Sequence, residues 1–163
     1  MQTGLLHLHS TLRYVIIILF LIAIFKSLGA GDKPFTSAHK KIGLFLMIFF
    51  DINVLIGLVQ WFTGGTTGAW GLPSIQQNGM GVVMKDAAMR FFAVEHLLGM
   101  LVALILVHIG YKISKKNLSD AKKHSKTALF YILALIITLA SIPWLFRGLG
   151  RGWFPMSLFY FNI

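Results

Sequence analysis

Four stretches of this chain are long enough and apolar enough to cross a lipid bilayer, and no other feature restricts the fold as severely. A hydrocarbon core about 30 Å thick takes about 20 residues of helix to span. The runs at about 5–28, 42–63, 87–111 and 128–146 each supply that length. Hydrophobic residues make up 56% of the 163-residue chain and charged residues 12%, with a mean hydropathy of +0.76. A water-soluble domain of this size would have too little polar surface to cover its core. The expected fold class is therefore all-α: an integral membrane four-helix bundle, one domain over residues 1–163. A cleaved signal peptide is the rival reading of the first run, since Ser27, Leu28, Gly29 and Ala30 look like a cleavage site. A nearly uncharged start, and Lys26 at the end of the run, favour a retained span.

Charge then orients the bundle. The loops after spans one and three hold Lys26, Lys33, Lys40, Lys41, Lys112, Lys115, Lys116, Lys122, Lys123 and Lys126. The opposite side has Arg13, Lys85, Arg90, Arg147 and Arg151. Ten against five puts both lysine-rich loops in the cytoplasm and both termini on the extracytoplasmic side. The same topology accounts for the net charge of +10 without a nucleic-acid partner. A bacterial inner membrane, crossed several times, is the expected location. The outer loop, about 64–85, is rich in glycine, carries Trp70 and follows Trp61, and reads as an irregular cap on the membrane surface. Asp86 is placed to cap the third span, Pro143 to stop or kink the fourth, and the aromatic tail 153–163 to lie at the interface.

Against this background the histidines carry the functional signal, because imidazoles are costly in hydrocarbon and usually mark a site. His7, His9 and His96 lie toward the outer face; His39, His108 and His124 lie toward the inner one. Haem b with two histidine ligands needs one imidazole from each of two helices at similar depth, and each group offers such a pair. His96 and His108 are 12 residues apart. That separation is about 18 Å along a helix and about 120° around it, so the two face different neighbours. His9 is the deeper outer candidate on span one; with His96 it would hold an outer haem. His39 and His108 would hold an inner one, with His7 and His124 as substitutes. Arg13, Arg90 and Arg147 gather at the outer end, where haem carboxylates would want guanidinium partners.

Two acids stand among the spans. Asp51 is in the middle of span two and should face the bundle interior, either in a proton path, as second support for a ligating imidazole, or in a contact with Arg13 or Asn53. Glu95 has the same two functional readings, or pairs with Arg90 or Arg13. Met80, Met84 and Met89 near His7 and His9 raise a rival chemistry, since thioether and imidazole together suit copper(I). The absence of cysteine rules out disulfides, iron–sulfur clusters and thiol catalysis. No hydrolase or nucleotide-binding motif is present, and no catalytic residue is assigned.

The segments His7-Leu8-His9-Ser10-Thr11-Leu12-Arg13-Tyr14, His39-Lys40-Lys41-Ile42-Gly43, Arg90-Phe91-Phe92-Ala93-Val94-Glu95-His96 and His108-Ile109-Gly110 carry a resemblance. The chain resembles the short bacterial four-span membrane proteins of the b-type cytochrome kind, broadly similar to di-haem membrane cytochromes b. The resemblance covers most of the chain and implies one or two b haems. It also implies electron exchange with a quinone or a respiratory complex subunit. The familiar di-haem bundle sets two same-face ligand pairs on two helices at a longer spacing; here only span three carries an interior pair. The expected protein is thus a haem-holding electron carrier. A copper-binding oxidase-assembly protein and a cofactor-free accessory subunit of a membrane complex are the alternatives.

Overall fold

The computed structural model describes residues 2–144, and their regular structure is entirely helical. Helix α1 covers Gln2–Leu28 and α2 covers Ser37–Thr63. Two short helices, α3 over Leu72–Asn78 and α4 over Met80–Val83, lie in the outer loop. The third span, Ala87–Lys115, is composite: a first turn α5 over Ala87–Arg90, a π-helical turn over Phe91–Glu95, and α6 over His96–Lys115. Helix α7 covers Asp120–Ser141. These four long segments are apolar and long enough to cross a membrane, so the chain has the build of a multi-pass membrane protein.

Each span packs on its two chain neighbours and the ring closes: one on two, two on three, three on four, four on one. Spans one and three therefore face each other diagonally. The core on the bundle axis holds Ile16 and Phe20 of span one, Leu46 and Phe50 of span two, Ala103 and Val107 of span three, and Tyr131 and Ala134 of span four. Phe20 meets Phe50 and Tyr131 edge-on, with ring centroids 6.0 and 6.4 Å apart, a favoured aromatic geometry. The opposite faces expose Ile18, Phe25, Leu55, Leu98, Ile105 and Ile136. Helices that are apolar all round, with large side chains outward, suit lipid as the surrounding solvent.

Close approach between spans rests on small residues, as expected where lipid removes the hydrophobic driving force between helices. Gly43 and Gly110 together seat the Tyr131 ring: a Cβ on Gly110 would lie 2.5 Å from Tyr131 Cε1. Gly99 plays the same part against Ser141.

Several expected boundaries move. Span four starts at Asp120, eight residues before the apolar run, because Ser119 and Asp120 open a helix that its lysines solvate before it meets lipid. It ends at Ser141 because Ile142, the residue before Pro143, is extended (φ −78°, ψ 136°). The stop assigned to Pro143 is thus observed. Asp86 does cap the third span, its carboxylate accepting from the Met89 amide at 2.7 Å. The outer loop is less irregular than its glycines suggest. Gly64, with φ +78°, ends span two in the left-handed conformation, and Pro73 then starts a helix in its first turn. Arg147, Arg151 and the tail 153–163 lie outside the described residues.

Candidate functional site

Span one brings His9, and span three brings His96, to the axis near one end of the bundle. Their ring centroids are 6.2 Å apart with planes at 77°. Each imidazole is braced from a different span: His9 Nδ1 lies 3.1 Å from the Asn53 carbonyl of span two, and His96 Nδ1 lies 2.6 Å from the Ser141 carbonyl of span four. A carbonyl only accepts, so both rings carry their proton on Nδ1 and keep the basic lone pair on Nε2. All four spans thus contribute to one site. Gly57 gives His9 its room, since a Cβ there would lie 3.1 Å from His9 Cε1. Phe91 flanks His96 with its centroid 5.8 Å away.

The polar surroundings are incompletely satisfied. His7 Nδ1, Asn53 Oδ1 and Gln60 Nε2 are buried in the same end of the bundle without a hydrogen-bond partner. Buried polar atoms normally find a protein or water partner; His39 Nε2, His124 Nδ1 and Thr127 Oγ1 show the same shortage at the other end of the bundle. Arg13, one helical turn beyond His9, donates to the Tyr14 hydroxyl at 2.9 Å and lies 5.5 Å from the Trp144 ring. Arg90 takes one of the partners that the sequence offers it. It pairs with Glu95 at 2.7 Å and donates to the Met84 carbonyl at 2.9 Å.

The π turn immediately before His96 explains this arrangement. The His96 amide bonds to the Phe91 carbonyl five residues back, which adds a residue to the turn and puts positions five apart, such as Arg90 and Glu95, on one side. It also releases a carbonyl from the helical ladder, and the Trp61 indole donates to Ala93 O at 2.9 Å. Such turns are frequent at functional sites.

The inner group is built differently, and the expected pairing of His39 with His108 is not formed. His39 instead meets His124, with ring centroids 4.7 Å apart, and Phe35 stacks within 5 Å of both. His39 Nδ1 accepts from the Thr36 amide at 3.2 Å and is 2.9 Å from its hydroxyl, a capping contact that starts span two. The proton of His39 is therefore on Nε2. A neutral imidazole in that tautomer has no lone pair left for a metal. His124 donates from Nε2 to the Lys33 carbonyl at 3.1 Å. Together these contacts fasten the loop between spans one and two onto span four.

His108 bonds through Nε2 to Asp51 Oδ1 at 2.8 Å, joining spans two and three. Asp51 therefore takes His108 as its partner rather than Arg13 or Asn53. The pair does not point inward as expected: its side chains keep 42% and 36% of their surface exposed, flanked by the exposed Ile48, Ile52, Leu55 and Ile105. Polar contacts between spans in lipid are worth about 1 kcal/mol. We expect Asp51→Leu to destabilise the bundle by about that amount, by leaving an imidazole N–H in hydrocarbon, and Asp51→Leu/His108→Leu to recover most of the loss. Unfolding in mixed micelles measures both; a double variant as unstable as the sum of the two singles would refute the coupling.

Met80 and Met84 are exposed in the outer loop. Among the described residues, no group of three or more histidine or carboxylate side chains is arranged to hold a metal ion. The fold and site together define a four-span helical membrane protein with a carbonyl-braced pair of histidines on its axis. The chain matches no protein family, no curated protein and no solved structure.

Proposed function

We propose that this protein is a b-type cytochrome-like electron carrier of the membrane, with haem b held between His9 and His96. The observation that carries the reading is the shared bracing: both imidazoles place Nδ1 within hydrogen-bond distance of a backbone carbonyl, as histidine ligands of metals commonly do. Their spacing supports it as well. The two rings lie 6.2 Å apart between centroids, near enough for one metal centre to be reached by both.

When bound, haem supplies one-electron exchange; the chain supplies position and electrostatics. His9 and His96 would hold the haem iron, and the Asn53 and Ser141 carbonyls, bonded to each Nδ1, would leave Nε2 as the basic nitrogen. Arg13 offers its charge to the haem carboxylates. A second haem at the inner end would have to use His108 or His124, since His39 is held in the wrong tautomer. In this reading the lysine-rich loops face the cytoplasm of a bacterium, both termini lie outside, and the redox partners are a quinone or a subunit of a respiratory complex.

Visible spectra of the detergent-purified protein, before and after dithionite, test the assignment. Sharp bands on reduction are expected, with stoichiometric iron by metal analysis. Copper in place of iron would favour the thioether alternative, and neither metal would leave an accessory subunit. Topology has its own test. A reporter active only in the cytoplasm should be silent when fused to the C-terminus and active in the 116–119 loop; the reverse pattern would invert the orientation.

A further inference from the structure

At the lysine-rich end of the bundle, away from the histidine pair, a half-open groove of 380 Å³ lies between spans three and four. Its floor is apolar: Ile109 and Ile113 from span three, Leu129 and Phe130 from span four. Two ammonium groups line it, Lys116 where span three ends and Lys126 two turns into span four. Both lysines are exposed. The ion pairs among the described residues are Arg90–Glu95 and His108–Asp51, so no carboxylate neutralises either. The neighbouring Lys115 is engaged elsewhere, 4.2 Å from the Tyr111 ring.

The order of chemistry along the groove matches that of one class of molecule. Hydrocarbon-lining side chains lie at the level of the spans, and two positive charges sit where the helices leave the apolar layer. A phospholipid has an acyl chain and an anionic head in that same order, and basic recesses between spans are recognised seats for such heads. We propose that the groove binds an anionic glycerophospholipid, its phosphate between Lys116 and Lys126 and an acyl chain along Ile109, Ile113, Leu129 and Phe130. A free anion would not need the apolar floor, and an uncharged lipid would not need the lysines. The proposal does not depend on haem binding.

Native mass spectrometry of the full-length protein in zwitterionic detergent, titrated with phosphatidylglycerol or phosphatidylcholine, tests it. The unaltered protein should retain one phosphatidylglycerol in preference to phosphatidylcholine. Lys116→Gln/Lys126→Gln should weaken that preference about twentyfold or more, at about fivefold per lysine near an anionic surface. Lys116→Arg/Lys126→Arg should preserve it. Lys122→Gln/Lys123→Gln removes the same charge from the same end but leaves the groove intact, and should change the preference less than twofold. Equal losses in the two glutamine pairs, or no preference in the unaltered protein, would overturn the site. So would displacement of the lipid by millimolar inorganic phosphate, which would make the occupant a simple anion.

Discussion

His96→Ala is expected to abolish the reduced haem absorption of the purified protein, whereas His39→Ala should leave it in place. The contrast follows from the proton positions. His96 carries its proton on Nδ1, bonded to the Ser141 carbonyl at 2.6 Å, which leaves Nε2 as its basic nitrogen, and the His9 ring lies 6.2 Å away between centroids. His39 has its basic nitrogen taken up by the Thr36 amide at 3.2 Å. His9→Ala should behave like His96→Ala, because the proposed site would need both imidazoles to hold the haem. Gly57→Val should partly mimic them, since its Cβ would lie 3.1 Å from the His9 ring and push it out of position. Loss of a spectrum can also report loss of fold, so a second readout is needed. Free imidazole added to His96→Ala should diffuse into the space the side chain leaves and restore a six-coordinate spectrum. A normal spectrum in His96→Ala would move the ligand elsewhere. Failure of imidazole to restore it, with the helical content intact, would make His96 a packing residue.

The parts of this molecule that were legible in the sequence are those fixed by length and depth alone. A run of about 20 apolar residues has few options other than a span, so the sequence marks all four spans and sets His9 and His96 at one depth. Span four shows where that logic stops: its first eight residues, Asp120 to Thr127, are helical but polar, so hydropathy does not mark them. The inner histidines show another limit. His39, His108 and His124 share a depth, yet the partner each chooses depends on angle and on backbone groups. His39 goes to Thr36 and His124, and His108 to Asp51. The carbonyls of Asn53 and Ser141 that set the tautomers belong to no side chain, so residue identity does not announce them. Nor does it announce the π turn before His96, which alters the facing of Arg90 and Glu95. Gly57 and Gly99 were legible only as small residues in apolar runs, a weak sign of close contact between spans.

The same small residues provide a sharp test of the packing, because one of them can be filled if its neighbour is trimmed. A Cβ built on Gly43 would lie 2.6 Å from the Tyr131 hydroxyl oxygen, while its next contacts, Tyr111 Cδ2 at 3.5 Å and Tyr131 Cζ at 3.7 Å, are ordinary. That hydroxyl is buried and has no hydrogen-bond partner. Gly43→Ala alone should therefore destabilise the bundle: overpacking costs about 1–3 kcal/mol, against about 1 kcal/mol gained from the better helix former. Tyr131→Phe alone should be neutral or slightly stabilising, since it removes an unsatisfied polar atom at little cost in packing. Combined, the two changes should make the protein more stable than the unaltered chain, because alanine keeps its helical advantage and its clash partner is gone. The expected coupling is about 1–3 kcal/mol, the range seen for residues in direct contact. Reversible unfolding in mixed micelles of the four proteins in this cycle measures it. Additive effects would mean that Gly43 and Tyr131 do not meet, and the reach of the Tyr131 ring across the bundle axis to span two would have to be redrawn. Gly110→Ala supplies the complementary control. Its Cβ would meet the Tyr131 ring itself, 2.5 Å from Cε1 and 2.9 Å from Cδ1, so removal of the hydroxyl should not rescue it.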